Sequence, residues 1–181
     1  TDALAFGDSE LVFGYVMGTT ASVAMTSTGS PISAIDDVTP TAFEEANALL
    51  GSIDDVNGMD GDYGIRVTMA DVMGTGFKID AMYTPQSGSG DAASDNSFSG
   101  VTEGGFEDGK EISITGSVPF VEGLDVGAGY YTRGTDASGT ADATFVHDEG
   151  TAYIKYSTGH VSVGYQKAAV NTASGTAETY Y

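Results

Sequence analysis

Apolar residues recur at every second position along most of this chain, which is the period of a β-strand with one greasy and one polar face. The clearest run is Asp62–Asp71, where Tyr63, Ile65, Val67 and Met69 alternate with Gly64, Arg66, Thr68 and Ala70. Comparable runs predict strands over 10–17, 20–26, 76–84, 110–118, 124–132, 150–157 and 161–169, giving eight strands in one unit that spans residues 1–181. Short connections fall at Gly18–Thr20, Val72–Thr75, Pro119–Gly123 and Ser157–His160. Long ones fall at Ser27–Gly61, Pro85–Gly109, Arg133–Glu149 and Val170–Glu178, so short and long alternate. That rhythm predicts an antiparallel meander with two chemically different ends. Apolar faces stay together if Met17 pairs with Ala21, Met69 with Phe77, Val118 with Leu124 and Tyr156 with Val161. The same registers set Arg66 opposite Asp80, an opposite-charge pair on the polar face.

Alternation alone does not say which face meets water. Repeating strands of eight to ten residues match the roughly 9–11 that a tilted membrane-spanning strand needs. Aromatic residues sit near strand ends on the apolar face, Tyr63, Tyr83 and Tyr130 toward the long loops and Phe77 and Tyr156 toward the short turns. Two such bands resemble interfacial aromatic girdles. The polar face is Gly, Ser and Thr with isolated charges, where a soluble outer face carries more Lys and Glu. The expected fold class is therefore all-β, an antiparallel meander forming part of a transmembrane β-barrel. Eight strands can close by themselves, but a barrel that small is filled by side chains. This polar face is mostly small residues, and such a barrel has no room for a 35-residue connection such as Ser27–Gly61. The strands are thus expected to be about half of a larger barrel. Two other readings are a small closed outer-membrane barrel with an anchoring role and a secreted β-sandwich adhesin.

Composition narrows the chemistry. The 26 acidic residues against 6 Lys and Arg give a formal charge of −20, which repels phosphate backbones and sets nucleic-acid binding aside. Ten Tyr and eight Phe with 40% hydrophobic residues argue against disorder. Zero Cys removes disulfides and thiol chemistry, and two His do not make a histidine-rich metal site. No catalytic constellation is present: no Gly-x-Ser-x-Gly elbow, no His-Glu-x-x-His and no P-loop. His147, beside Asp148 and Glu149, reads as part of a solvated loop, and His160 as a turn residue. An enzyme is not expected. The chain opens on Thr1 without a signal peptide, as a mature, processed or truncated terminus does.

Ser27–Gly61 stands apart from the other long connections because it carries Ile32, Ile35, Val38, Phe43, Leu49, Leu50 and Ile53 and so has something to pack. Thr41 with Glu44 fits a capping box, and Thr39-Pro40 fits an N-cap followed by the first helical residue, predicting a short helix over Ala42–Leu50. Asp36, Asp37, Glu44, Glu45, Asp54 and Asp55 form three adjacent acidic pairs, while the nearby polar face presents Arg66 and Lys78. An acidic loop folded against a basic wall sets up a transverse field that sorts solutes by sign. A solvated loop surface or a loose Ca²⁺ site is the plainer alternative for the acids, and a salt bridge to Asp80 is the plainer one for Arg66 or Lys78.

The run Asp36-Asp37-Val38-Thr39-Pro40-Thr41-Ala42-Phe43-Glu44-Glu45 resembles the loop that folds into the lumen of general porins of alphaproteobacterial type, marine members in particular. Gly123-Leu124-Asp125-Val126-Gly127-Ala128-Gly129-Tyr130 and Ser162-Val163-Gly164-Tyr165-Gln166-Lys167 are similar to strands of the same porins, in the family's order. The resemblance implies a sixteen-stranded homotrimeric channel in the outer membrane for small hydrophilic solutes and ions, in contact with membrane lipid. It puts Asp36, Asp37, Glu44 and Glu45 on a constriction loop and implies no cofactor. By this analogy the strands are roughly the fourth to the eleventh, with Tyr180-Tyr181 opening the twelfth. The first strands and a closing strand with a terminal aromatic are absent, as expected of an internal fragment.

Overall fold

The computed structural model describes residues 10–17, 19–26, 29–36, 38, 56, 58, 64–85, 106–136, 144–172 and 175–180. Apart from two 3-10 turns at Ser33–Ile35 and Val72–Gly74, the regular elements described are all strands. In chain order they are β1 (Glu10–Met17), β2 (Thr19–Thr26), β3 (Gly64–Met69), β4 (Phe77–Thr84), β5 (Phe106–Ser117), β6 (Leu124–Asp136), β7 (Thr144–Thr158), β8 (Val161–Thr172) and β9 (Gly175–Tyr180). They form one nine-stranded sheet in which every strand pairs antiparallel with its sequence neighbours. The molecule is an all-β antiparallel meander, as its alternation predicts. Among the described residues β1 and β9 do not pair, so the sheet is open.

The strand count corrects the expected eight. Val170–Glu178 is not a long connection: β8 runs to Thr172 and β9 starts at Gly175, with Lys167 to Thr172 paired against it. Likewise β6 and β7 extend to Asp136 and Thr144, which places His147 in a ladder opposite Arg133 rather than in a loop. Both stretches are small and polar, so neither face alternates, yet the backbone ladder continues without apolar side chains to mark it. Because β9 occupies the far edge of β8, that edge has no room for closure onto β1.

Registers differ from expectation by two residues at three hairpins. Tyr15 rather than Met17 opposes Ala21, Ile79 rather than Phe77 opposes Met69, and Val163 rather than Val161 opposes Tyr156. A slip of two preserves every face, which is why alternation does not detect it. The fourth register holds, with Val118 N–H donating to Leu124 O at 2.8 Å. That hairpin depends on Gly123, whose φ is +82° and whose added Cβ would lie 2.0 Å from Ser157 O. Gly123→Ala is expected to cost about 1–3 kcal/mol, by left-handed strain plus a displaced backbone. Gly159→Ala, at φ +53° with open space around it, should lose only the strain. Urea midpoints followed by circular dichroism separate the two.

The faces are arranged opposite to those of a water-soluble sheet. On one face Ile65, Val67, Ile112, Ile114, Ile154, Val163 and Tyr165 are 39–57% exposed. On the other, Asp80, Glu111, Ser113, Glu149, Thr151 and Gln166 are buried. No second sheet packs on the apolar face among the described residues. Ile65 and Ile114 therefore do not meet in a dry sandwich core.

Candidate functional site

The polar face is covered by the stems of the long connection between β2 and β3. Residues 29–36 and 38 form one stem, and Val56 and Gly58 belong to the other. Ile32 and Val56 join Met82, Tyr131, Ala168 and Val170 in a small buried cluster that reaches from β4 to β8. Gly129 makes room for it, since a Cβ there would lie 2.9 Å from Ile35 Cδ1 and 3.1 Å from Ile32 Cγ1. The expectation that this connection can pack holds for Ile32 and Ile35, both buried. The predicted helix over Ala42–Leu50, with Phe43, Leu49, Leu50 and Ile53, lies outside the described residues.

Polar side chains from the wall fasten the stems at their backbone. Glu111 on β5 accepts from the Ser30 hydroxyl and from Ile32 N–H. Glu149 on β7 accepts from Gly58 N–H at 2.8 Å. Gln166 on β8 donates to Ile35 O at 2.9 Å and to Thr151 Oγ1 at 2.8 Å, while its carbonyl accepts from Val38 N–H at 3.1 Å. Buried backbone groups need partners, and here three strands supply them to a segment whose described residues form one 3-10 turn. Tyr131 stands between the two glutamates, opposite Glu111 on one side and Glu149 on the other.

A second cluster holds the start of the same stem. Asp80 accepts from Arg66 Nε at 2.8 Å, from Arg66 Nη2 at 2.5 Å and from Thr68 Oγ1 at 3.0 Å, and it pairs with Lys78 Nζ at 3.0 Å. Arg66 Nη1 donates to Gly29 O at 2.9 Å. Arg66 and Asp80 are diagonal rather than directly opposite, because Thr68 faces Asp80 and Met82 faces Arg66. One carboxylate thus serves both cations, so the salt bridge to Asp80 that is the plainer reading of Arg66 or Lys78 is present for both.

Of the acids expected on the constricting loop, Asp36 is described, half-buried at the end of the 3-10 turn, whereas Asp37, Glu44 and Glu45 lie outside the described residues. Arg66 and Lys78 both lie on the polar face, as expected. Tyr83 and Tyr130 sit on the apolar face toward the long connections, and Phe77 and Tyr156 toward the short turns, while Tyr63 falls outside the described residues. Among the described residues no three acidic or histidine side chains converge to hold a metal ion. Glu111, Glu149 and Gln166 are the site residues that sequence reasoning did not single out. A signal was available for Glu111 and Gln166, long polar side chains at period-two positions on a face of Gly, Ser and Thr with isolated charges, whereas Glu149 precedes the alternating run that starts at Gly150.

Among the described side chains the same face carries charge in balance, with Arg66, Lys78, Arg133 and Lys155 set among Asp80, Glu111, Asp125 and Glu149. The chain's excess of acid lies elsewhere, largely in its connections. Compared with family models, with curated proteins and with solved structures, the chain has no match.

Proposed function

We propose that this chain is part of the wall of an outer-membrane porin, a passive diffusion channel for small hydrophilic solutes and ions. The observation that carries the reading is the inverted sheet: apolar side chains on the exposed face, polar and charged ones under a folded-in segment. In hydrocarbon an apolar outer face is required, and backbone groups must pair along closed ladders. Nine strands already exceed the smallest self-closing barrels, which favours a larger one with a watery lumen. The resemblance to general porins supplies the sixteen-strand, trimeric form of the proposal. The segment between β2 and β3 narrows the lumen, and the resemblance to general porins would put Asp36, Asp37, Glu44 and Glu45 on the constricting loop.

Selection then follows from width and field, with no energy coupling. All six Lys and Arg lie on strands, so most of the net charge of −20 resides outside the strands and favours cations at the mouth. Under a salt gradient in a planar bilayer, the reversal potential is expected to take the cation-selective sign. The preference should fade near 1 M salt, where the screening length is only about 3 Å. An anion-selective sign, or no conductance at all, refutes the proposal.

A further inference from the structure

Two neighbouring rows of the open face enclose a groove of about 440 Å³. The first row runs Val67, Ala81, Ile112 and Tyr130 across β3 to β6, each paired with the next. The second lies one step toward the long connections and runs Ile65, Tyr83, Lys110 and Thr132. Ala81 forms the floor, because its methyl group stands between the larger side chains of Val67 and Ile112. Moving along the strands, the surface changes within one row from hydrocarbon to an ammonium and a phenol. Lys110 is 63% exposed while ion-paired with Asp108 at 2.7 Å. Tyr130 closes the side of the groove, its hydroxyl donating to Asp148 at 2.7 Å.

We propose that this groove binds one phosphate-bearing lipid, with an acyl chain over Ala81 between Val67 and Ile112 and the phosphate against the Lys110 ammonium. The inference rests on the reading of the open face as lipid-facing and adds a particular site to it. The match is one of order, with the phosphate taking the place of the Asp108 carboxylate on the Lys110 ammonium. Hydrocarbon lies inward and the cation outward, as in a lipid whose chain follows the strands and whose head rests at the interface. A Lys near a membrane surface attracts anionic heads, and the Tyr83 and Tyr130 rings frame the same level.

The test is native mass spectrometry of the detergent-purified protein incubated separately with phosphatidylglycerol, with diacylglycerol and with inorganic phosphate. One phosphatidylglycerol per chain is expected to survive, and inorganic phosphate none. Lys110→Gln should lower phosphatidylglycerol retention about fivefold, the weight of one interfacial cation, and leave diacylglycerol unchanged. Ala81→Phe, or Ala81→Leu if the larger ring prevents folding, should lower retention of both lipids about tenfold by filling the floor. Equal phosphatidylglycerol retention by all variants overturns the site, as does an Ala81 variant that only splits an oligomer, which would mean a second copy seats there. A protein that conducts but retains no lipid sinks this inference alone. One that retains lipid but never conducts sinks the pore reading alone.

Discussion

Asp80→Asn is expected to destabilise the sheet by about 3 kcal/mol, the low end for breaking a buried ion cluster. Asp80 is only 2% exposed and is the shared acceptor for Arg66 and Lys78. Removing its charge leaves two cations facing each other without the anion between them. The lower figure applies because water reaches the Arg66 and Lys78 side chains, at 21% and 43% exposure, and screens part of the repulsion. The damage should also travel: the fork of Asp80 fixes the guanidinium whose third nitrogen holds Gly29 O. Arg66→Lys keeps the charge but loses the fork and should loosen that stem without the full loss of stability. Adding Lys78→Gln to Asp80→Asn should recover part of the urea midpoint, since one of the stranded charges is gone. In the proposed channel, Asp80→Asn alone should shift the reversal potential toward anions. A midpoint within about 0.5 kcal/mol of the parent protein would show that the carboxylate is not what balances the two cations.

How much of this was readable beforehand depends on the range of the interaction concerned. Which residues share a face follows from a period of two, so the exposed Ile65, Ile112 and Ile154 and the buried Asp80 and Glu111 fell on the expected sides. Register is a weaker reading, because a shift by two, as at Tyr156 and Val163, leaves the pattern unchanged. Strand ends are weaker still. Past Thr132 and before Gly150 the chain carries no alternation, yet Arg133 and His147 pair, since ladder bonds are indifferent to side chains. The fastening of the inner segment was least visible. Ile32 and Glu111 are 79 positions apart, and Ile35 and Gln166 are 131 apart, distances over which no local pattern speaks. What the sequence offered instead was a mismatch, Glu111 and Gln166 standing at strand positions among mostly small residues.

The sharpest test of that fastening is Gln166→Leu, a change close in volume that removes every polar contact the side chain makes. Gln166 is fully buried and bridges Ile35 O, Val38 N–H and Thr151 Oγ1. With leucine there, a carbonyl and an amide of the segment lose their partners while enclosed, and each orphan costs about 1–3 kcal/mol. The sheet has no reason to unfold, because its ladders do not pass through this side chain. The cheaper response is for the stem bearing Ile35 and Val38 to lift from β8 and take water, while Glu111 still grips Ser30 and Ile32. A penalty of about 2 kcal/mol raises the lifted population about thirtyfold. Protease cleavage within Ser27–Gly61 should rise by the same factor when opening is fast compared with cutting. The urea midpoint of the strands should move much less, and in the proposed channel single-channel conductance should increase. Glu111→Ala should release the other part of the stem, and combining the two should exceed the sum of the separate effects, since each variant alone leaves one grip in place. Unchanged cleavage in Gln166→Leu would mean that the Ile32 and Val56 cluster, not the polar bridge, holds the segment down.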